Sequence, residues 1–308
     1  MRESFRVVIG ALFLGVSGLA FFAWPPPQGT APANAPLSSS VATRPGTRRA
    51  QHSTARQADS GRLQHEERRE SARRAAQAEQ AAALEAFLDE VDLCVDLATD
   101  LVEAKRGRDP ESPETIAEFE RIRTRYRAVR SRLIRRVDRD RASADLFYEE
   151  IRELEDGDVQ RELAQVLPFV ASEAFGRQLA AVARSDSDPT SREVALIGLR
   201  GRGATGADAV IEVAETAVDP SVRSAALREL RGHLGDPRAI RSMRRGISVT
   251  ERHLFDEDAS VRRAALITLG TMRGQPSASM RERVQQIAES DPDGDIRVTA
   301  RSLLSRWS

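Results

Sequence analysis

The side chains most often used for catalysis or metal binding are few and scattered in this 308-residue chain. The histidines, His52, His65, His233 and His253, never pair at the i, i+4 spacing that places two metal ligands on one helix face. The single cysteine, Cys94, falls on an apolar helical stripe, where a small buried thiol is expected rather than a nucleophile. The glycines of LRGRGATG are expected to end a helix rather than to cradle a phosphate. We therefore predict no catalytic residue, no metal site and no cofactor, and a protein that is not an enzyme.

One run of charge could still bind a ligand. The guanidinium groups of RIRTRYRAVRSRLIRR, from Arg121 to Arg136, would suit nucleic acid, with Tyr126 as a stacking aromatic ring. This charge is balanced elsewhere, because eight acidic residues and no basic one lie between Glu79 and Glu103 and the formal net charge is zero. Opposite charges on successive helices favour an antiparallel hairpin in which they flank one apolar seam. The hairpin is therefore favoured for the arginine run, ahead of anionic lipid or an acidic partner, and nucleic acid is ranked last. A cytoplasmic nucleic-acid-binding protein is the alternative function.

The elements that carry these charges are predicted to be two helices that form a helical hairpin over residues 62–141. Apolar residues spaced by three and four mark the first helix: Leu84, Phe87, Val91, Cys94, Ala98 and Leu101. The same spacing marks the second: Ile116, Phe119, Ile122, Tyr126, Val129, Leu133 and Val137. Between them, Ser112 followed by Pro113 is typical of a helix start. The hairpin could also join two copies as a homodimeric coiled coil.

The N-terminal residues 1–24 have the pattern of an export signal. Arg2 and Arg6 precede an uncharged apolar run from Val7 to Trp24, which as a helix would be roughly 27 Å long. We expect either a retained transmembrane anchor or a cleaved signal peptide. Residues 25–61, rich in Pro, Ala and Ser, are expected to be a disordered linker. The predicted location is the inner membrane, single-pass with the C-terminal part periplasmic, or the periplasm if the segment is cleaved.

The second half of the chain contains five copies of one unit. The reference positions of the copies lie 31–39 residues apart: Gln160, Arg192, Arg223, Arg262 and Arg297. Four residues earlier there is always an aspartate: Asp156, Asp188, Asp219, Asp258 and Asp293. Two residues earlier come the expected helix N-caps: Asp158, Thr190, Ser221, Ser260 and Asp295. Seven residues later there is always a leucine: Leu167, Leu199, Leu230, Leu269 and Leu304. Helix–turn–helix units at this period predict an all-α fold, with about five helical pairs stacked in an α-solenoid over residues 142–308.

These segments, among them DPSVRSAALRELRGHLG and DASVRRAALITLGTMRG, resemble HEAT repeats, in particular the short bacterial form found in phycobilisome-lyase-type proteins. The resemblance implies a scaffold for protein contacts and no reaction. It also implies a ladder between neighbouring repeats that pairs turn aspartates with helix-start arginines. The aspartates of this ladder would be Asp188, Asp219, Asp258 and Asp293, and the arginines Arg192, Arg223, Arg262 and Arg297.

Two copies depart from the family pattern. The first copy has Gln160 in place of the arginine, and Pro168 is expected to end its helix early. The 39-residue spacing before the fourth copy suggests an insertion around Ile247–Asp256, expected to be a loop that contains His253.

A protein of unknown identity is the predicted partner. In each unit, the residues five and eight positions after the reference residue are expected to point away from the core, onto the surface that lines the concave side of solenoids. The candidate partner-binding residues are Ile197, Arg200, Arg228, Arg231 and Ile267. Exposed isoleucines beside arginines are typical of binding hot spots.

Overall fold

The computed structural model describes residues 48–109, 112–233, 240–272 and 276–307, with side chains from residue 67 onward except at 240 and 241. The described residues contain helices and turns and no strand, which confirms the all-α prediction. The predicted anchor, residues 1–24, lies outside the described residues, as does most of the predicted linker. Among the described helices, none combines the length and the apolar character needed to cross a membrane.

The chain divides between Ala86 and Phe87 into two units. Helix α1, Arg48–Arg106, begins fourteen residues before the predicted position, so the prediction of a disordered linker is wrong for residues 48–61. In the first unit, the described side chains of residues 67–86 are exposed except for the partly covered Leu84. The predicted apolar stripe is buried only from Phe87 onward, within the second unit.

Helix α2, Pro113–Arg139, begins as predicted, because the Ser112 hydroxyl accepts a hydrogen bond from the backbone N–H of Thr115. Two contacts connect α1 with α2: the Arg136 guanidinium lies 5.1 Å from the centre of the Phe87 ring, and Arg132 Nε donates to Glu90 Oε1 at 3.0 Å. Residue numbers rise along α1 as they fall along α2 in these contacts, so the two segments run in opposite directions.

Within the described residues after α2, ten α-helices form five pairs, and the first and second helices of each pair form two layers. The first-layer helices are α3 (Arg141–Glu153), α5 (Glu173–Ser185), α7 (Gly203–Thr216), α9 (Ile240–Arg252) and α11 (Ala278–Ser290). The second-layer helices are α4 (Gly157–Ala164), α6 (Pro189–Gly198), α8 (Pro220–Leu230), α10 (Ala259–Leu269) and α12 (Gly294–Trp307). Each second-layer helix packs against the next one in the series, and in the first layer α7 packs against both α5 and α9. This is the predicted solenoid-like stacking.

The repeat columns form the core between the layers. The residue three positions after each reference residue, which is Leu163 in the first copy and alanine in the other four, is fully buried, as are the leucines seven positions after it in the first four copies. Close packing also requires Gly198, because a Cβ there would lie 2.7 Å from Leu179 Cδ1 and 3.0 Å from Leu167 Cβ. Of the glycines of LRGRGATG, Gly201 follows the end of α6 with a φ of 73°, as predicted, whereas Gly203, with a φ of 57°, begins α7 and Gly206 lies within α7.

The atypical copies differ from expectation in one respect. In the first copy, α4 ends at Ala164 and a 3₁₀ turn, Leu167–Phe169, follows around Pro168, as predicted. The predicted insertion loop at Ile247–Asp256 is wrong: its residues continue α9 to Arg252 and then form a 3₁₀ turn, His253–Phe255. This turn packs against α10 and α11, so it belongs to the stack.

Candidate protein-binding surface

The recurring turn between the two helices of a repeat is built around two acidic positions where it is complete. The aspartate four residues before the reference position is the helix N-cap in the first four copies; in the fourth, Asp258 Oδ1 accepts the backbone N–H groups of Ser260 at 2.8 Å and Val261 at 3.3 Å. Asp293 accepts the equivalent bonds in the fifth copy. The predicted caps two residues later are therefore wrong, because those residues supply N–H donors within the first turn.

An ion-pair ladder does connect neighbouring repeats, but its carboxylates lie two residues before the predicted ones. Arg223 donates to both oxygens of Asp256, at 3.2 and 3.0 Å. Arg262 donates to both oxygens of Asp291, at 2.8 and 3.1 Å. The sequence signal was present but missed: the Asp-x-Asp pattern at 256–258 and 291–293 supplies a ladder acceptor and a cap in succession.

The remaining ladder positions show why the pattern is incomplete. Ala217 occupies the acceptor position of the third copy, and Arg192 donates instead to the Ala183 carbonyl at 2.9 Å. Arg297, in the last copy, donates to the carbonyl of Asp291 at 2.6 Å. In the first copy, where glutamine replaces arginine, Arg152 reaches Asp186 at 3.0 Å.

The buried ladder pair is strongly held in its charged form. The Arg262 and Asp291 side chains are 10% and 3% exposed. Burial alone would raise the pKa of Asp291, but the hydrogen bonds from Arg262 and from the backbone N–H of Asp293 hold it below its ordinary value of 3.8. The pKa of Asp256 is lowered in the same way by Arg223, against the opposing effect of burial. Both carboxylates are therefore structural anions.

Two of the five candidate partner-binding residues do not lie free on the surface. The prediction for Ile197 is wrong, since only 7% of this residue is exposed. Arg200 is engaged across three repeats: Nη1 donates to Gln165 Oε1 at 2.9 Å, and Nε and Nη2 donate to the two carboxylate oxygens of Glu229 at 2.7 and 2.8 Å. Its position in the second layer explains both results, because neighbouring second-layer helices cover this face.

The other three candidates, Arg228, Arg231 and Ile267, are exposed, and together they are called the second-layer patch. Arg228 lies in the last turn of α8 and Arg231 is the residue that caps its C-terminus. Ile267, 38% exposed, occupies on the adjacent α10 the position equivalent to Arg228. Arg228 donates to the Ser224 hydroxyl at 3.0 Å and Arg231 to the Arg228 carbonyl at 3.0 Å. Neither guanidinium meets a carboxylate in the described part of the chain.

Buried acidic residues of the second layer were not found by sequence reasoning. Glu193 and Glu229, whose side chains are 5% and 7% exposed, receive Arg161 and Arg200 from the preceding repeat at 2.7 Å. Nothing in the repeat columns marked them, because each stands at a different position of its repeat. They hold the first three repeats in register.

The potentially reactive side chains are structural where they are described. Burial raises the pKa of the Cys94 thiol to about 12, so it remains protonated. His253 lies between the Ala214 carbonyl, 2.9 Å from Nε2, and the Asp256 carboxylate, 3.1 Å from Nδ1. His233 is buried, and the side chains of His52 and His65 lie outside the described residues. No metal-binding group of three or more ligands occurs among the described side chains.

Comparison with known proteins supports the repeat assignment. Residues 207–305 match the family model of HEAT repeats, which confirms the resemblance drawn from the repeat columns. No curated protein matches the chain.

Similar solved structures include the complex of CpcE and CpcF of phycocyanin lyase from Nostoc sp. PCC7120, at 19% identity and a TM-score of 0.46, covering 53% of this chain and 99% of that one. An engineered protein has 15% identity and a TM-score of 0.39, covering 70% and 96%. A designed armadillo repeat protein in complex with the peptide (KR)4 has 10% identity and a TM-score of 0.35, covering 70% and 99%.

Proposed function

We propose that this chain, with HEAT repeats over residues 207–305, is a non-enzymatic scaffold that holds a protein partner on its second-layer patch. The observation that carries the proposal is the pair of guanidiniums of Arg228 and Arg231, which meet no carboxylate within the described residues, beside the exposed Ile267. The partner segment should be acidic, with one apolar side chain.

The chemistry of the patch supports this choice of partner. Arginine presents a planar fork of N–H donors that matches a carboxylate in a bidentate pair, and elsewhere in this chain it does so with Glu229 and Asp291. An exposed isoleucine next to such groups can anchor an apolar side chain. The ion pairs between repeats limit rearrangement of the patch, so little ordering cost is expected on binding.

Photo-crosslinking tests the patch directly. A photo-reactive amino acid in place of Ile267 should yield a protein adduct in cells, whereas one in place of the exposed Gln286 on α11 should not. The double variant Arg228→Glu and Arg231→Glu should abolish the adduct at position 267. The control double variant Arg283→Glu and Arg301→Glu, at exposed arginines of the last repeat, has the same net charge and should retain it. Equal adducts at both positions, or none at 267, would reject the proposal.

We further propose that the scaffold is tethered to the inner membrane through residues 1–24, with the repeats in the periplasm. The support is the charge-free apolar run that follows Arg2 and Arg6. Reporters fused after residue 308 distinguish the two locations: alkaline phosphatase should be active and green fluorescent protein should not. The opposite result would favour the cytoplasmic nucleic-acid-binding alternative.

A further inference from the structure

The last arginine of the ladder between repeats lacks the acceptor that the others have. In Arg223 and Arg262, Nη1 donates to two carbonyls of the preceding turn, while Nε and Nη2 donate to an aspartate of the next repeat. Arg297 holds its own turn in the same way, since Nη1 donates to the carbonyls of Asp291 and Pro292 at 2.6 and 3.2 Å. Its Nε and Nη2 meet no acceptor among the described residues. The guanidinium is therefore fixed in place with two donors directed at the position of a missing carboxylate.

Helix α11 presents carboxylates on the same outer side of the last repeat. The residue eight positions before the reference residue contacts the next repeat in the first three copies: Arg152 with Asp186, Arg184 with Glu212, and Glu215 with Arg252. In the last copy this position is Glu289. Glu282 stands where Asp208 of the third copy accepts the Ser242 hydroxyl of the next repeat at 2.7 Å. Both glutamates are exposed, and neither meets a basic side chain in the described part of the chain.

The outer side of α12 differs from the same side of the earlier second-layer helices. Four positions after the reference residue, the first four copies have a buried apolar residue: Ala164, Leu196, Leu227 and Leu266. The last copy has the exposed Arg301 there, and Val298, 61% exposed, lies one turn earlier. An arginine in place of the leucine is unsuited to the apolar face of a further repeat and suited to an acidic helix. Helix α11 of a second copy is such a helix, because it carries Glu282 and Glu289.

A two-fold axis that runs parallel to α11 and α12, between them and on their outer side, brings these groups together. Rotation about this axis places α11 of the second copy over α12 of the first, and α12 of the second copy over α11 of the first. Residues keep their level along the axis. Counted from the turn that joins the two helices, Glu289 and Arg297 lie within about 3 Å of the same level, and Glu282 and Arg301 within about 2 Å. Each contact therefore forms twice, and the assembly closes as an isologous dimer.

We propose that the last repeat binds the last repeat of a second copy, with Glu289 of each copy accepting Arg297 Nε and Nη2 of the other and Glu282 facing Arg301. The contact goes beyond the proposed scaffold function, because none of these residues belongs to the second-layer patch. Gln286 on α11 stays outside it, since it occupies the position at which Glu212 faces the preceding repeat.

Salt provides the first test. The four ion pairs of this contact remain close to solvent, so they are screened as the ionic strength rises. Sedimentation velocity of the purified full chain should therefore show a dimer at 50 mM salt that weakens at least about tenfold in affinity at 500 mM. The variant with Arg228→Glu and Arg231→Glu should dimerise like the wild-type chain, because the second-layer patch takes no part. Loss of the partner on the patch and loss of the dimer are thereby separate results.

Charge reversal provides the decisive test. Glu282→Arg with Glu289→Arg makes the outer side of the last repeat basic throughout, and Arg297→Glu with Arg301→Glu makes it acidic throughout, so each double variant alone should be monomeric. Mixed in equal amounts, the two variants should form a heterodimer, because α11 of each then faces α12 of opposite charge. The control Arg177→Glu with Arg283→Glu, at exposed arginines outside the contact, should still form the homodimer. Arg301→Glu alone, which leaves the turn contacts of Arg297 intact, should weaken the dimer about tenfold or more, and far-UV circular dichroism should show unchanged helix content.

Three results would overturn the proposal. One is a monomeric wild-type chain at low salt and high concentration. Another is a dimer that survives both reversals, which would place the contact on a different surface, such as the hairpin of α1 and α2. The third is failure of the mixed variants to pair although both retain their helix content.

Discussion

At the scale of single residues, the two aspartates of each complete turn have separate tasks. In the fourth copy, Asp256 receives Arg223 from the preceding repeat, whereas Asp258 caps the helix that follows. Both also fix the turn itself, since Asp256 Oδ1 accepts the backbone N–H of Asp258 at 3.0 Å. A segment of three residues therefore sets both the start of a helix and its attachment to its neighbour.

The substitution Asp291→Ala should strongly destabilise the fold. It leaves the Arg262 guanidinium, 10% exposed, buried without a counter-charge, which costs about 3 kcal/mol of unfolding free energy. Glu212→Ala removes the partner of Arg184 from an exposed pair, 40% and 45% exposed, and should cost below about 1 kcal/mol. Urea unfolding followed by far-UV circular dichroism compares the two. Equal losses would contradict the assignment of Asp291 as the buried anchor.

The same carboxylates predict how stability changes in acid. The pKa of Asp256 and that of Asp291 are lowered in the folded state, so the unfolded chain binds protons first as pH falls. Their stabilising contribution is complete above the ordinary aspartate pKa of 3.8 and is lost as pH falls through the lower folded value. The difference in Tm between the wild-type chain and Asp291→Ala should shrink between pH 5 and pH 2.5. A difference that stays constant over this range would show that Asp291 does not act through its charge.

At the scale of the helices, close approach in the core depends on Gly198 of α6. Gly198→Ala would force its Cβ to within 2.7 Å of Leu179 Cδ1, and the required shift should cost about 1–3 kcal/mol. Gly157→Ala is the matched control, because the nearest atom to its Cβ would be Thr190 Cγ2 at 3.4 Å. That change should leave stability nearly unaltered, as measured by thermal unfolding. A neutral Gly198→Ala would mean that α6 can move away from its neighbours at little cost.

The helices themselves could be predicted from sequence, but their surroundings could not. The spacing of apolar residues, together with aspartate and proline at the turns, predicted where the helix pairs lie. This was possible because helix formation and capping depend mainly on residues that are close together in the chain. Ile197 was misjudged since its burial depends on the adjacent repeat. The ladder partner of Arg262 was misplaced by two residues for the same reason. Choosing between Asp291 and Asp293 requires the distance from Arg262 to each carboxylate of the next repeat, which the sequence does not contain.

At the scale of the whole stack, Arg200 connects three successive repeats through Gln165 and Glu229. Repeat proteins unfold as one body only while the interfaces between repeats are strong. Arg200→Ala should therefore lower stability and also broaden the urea transition, with a smaller m-value, as the first repeats separate from the rest. Arg177→Ala, at a pair with 68% and 93% exposed side chains, should change neither quantity. A parallel shift of the midpoint without broadening would show that Arg200 acts only locally.

The way the repeats are joined has a practical consequence. Arg192, Arg202, Arg223, Arg262 and Arg297 all donate to main-chain carbonyls, and forty-six of the 47 basic residues are arginine, with Lys105 as the only side-chain amine. Reagents and enzymes that modify amines, including acetyltransferases, ubiquitin ligases and succinimidyl esters, have one side-chain target, at the end of α1. Acetylation of lysine therefore has no site in the repeats, and any map of the partner has to be made with carboxylate-directed or light-activated chemistry.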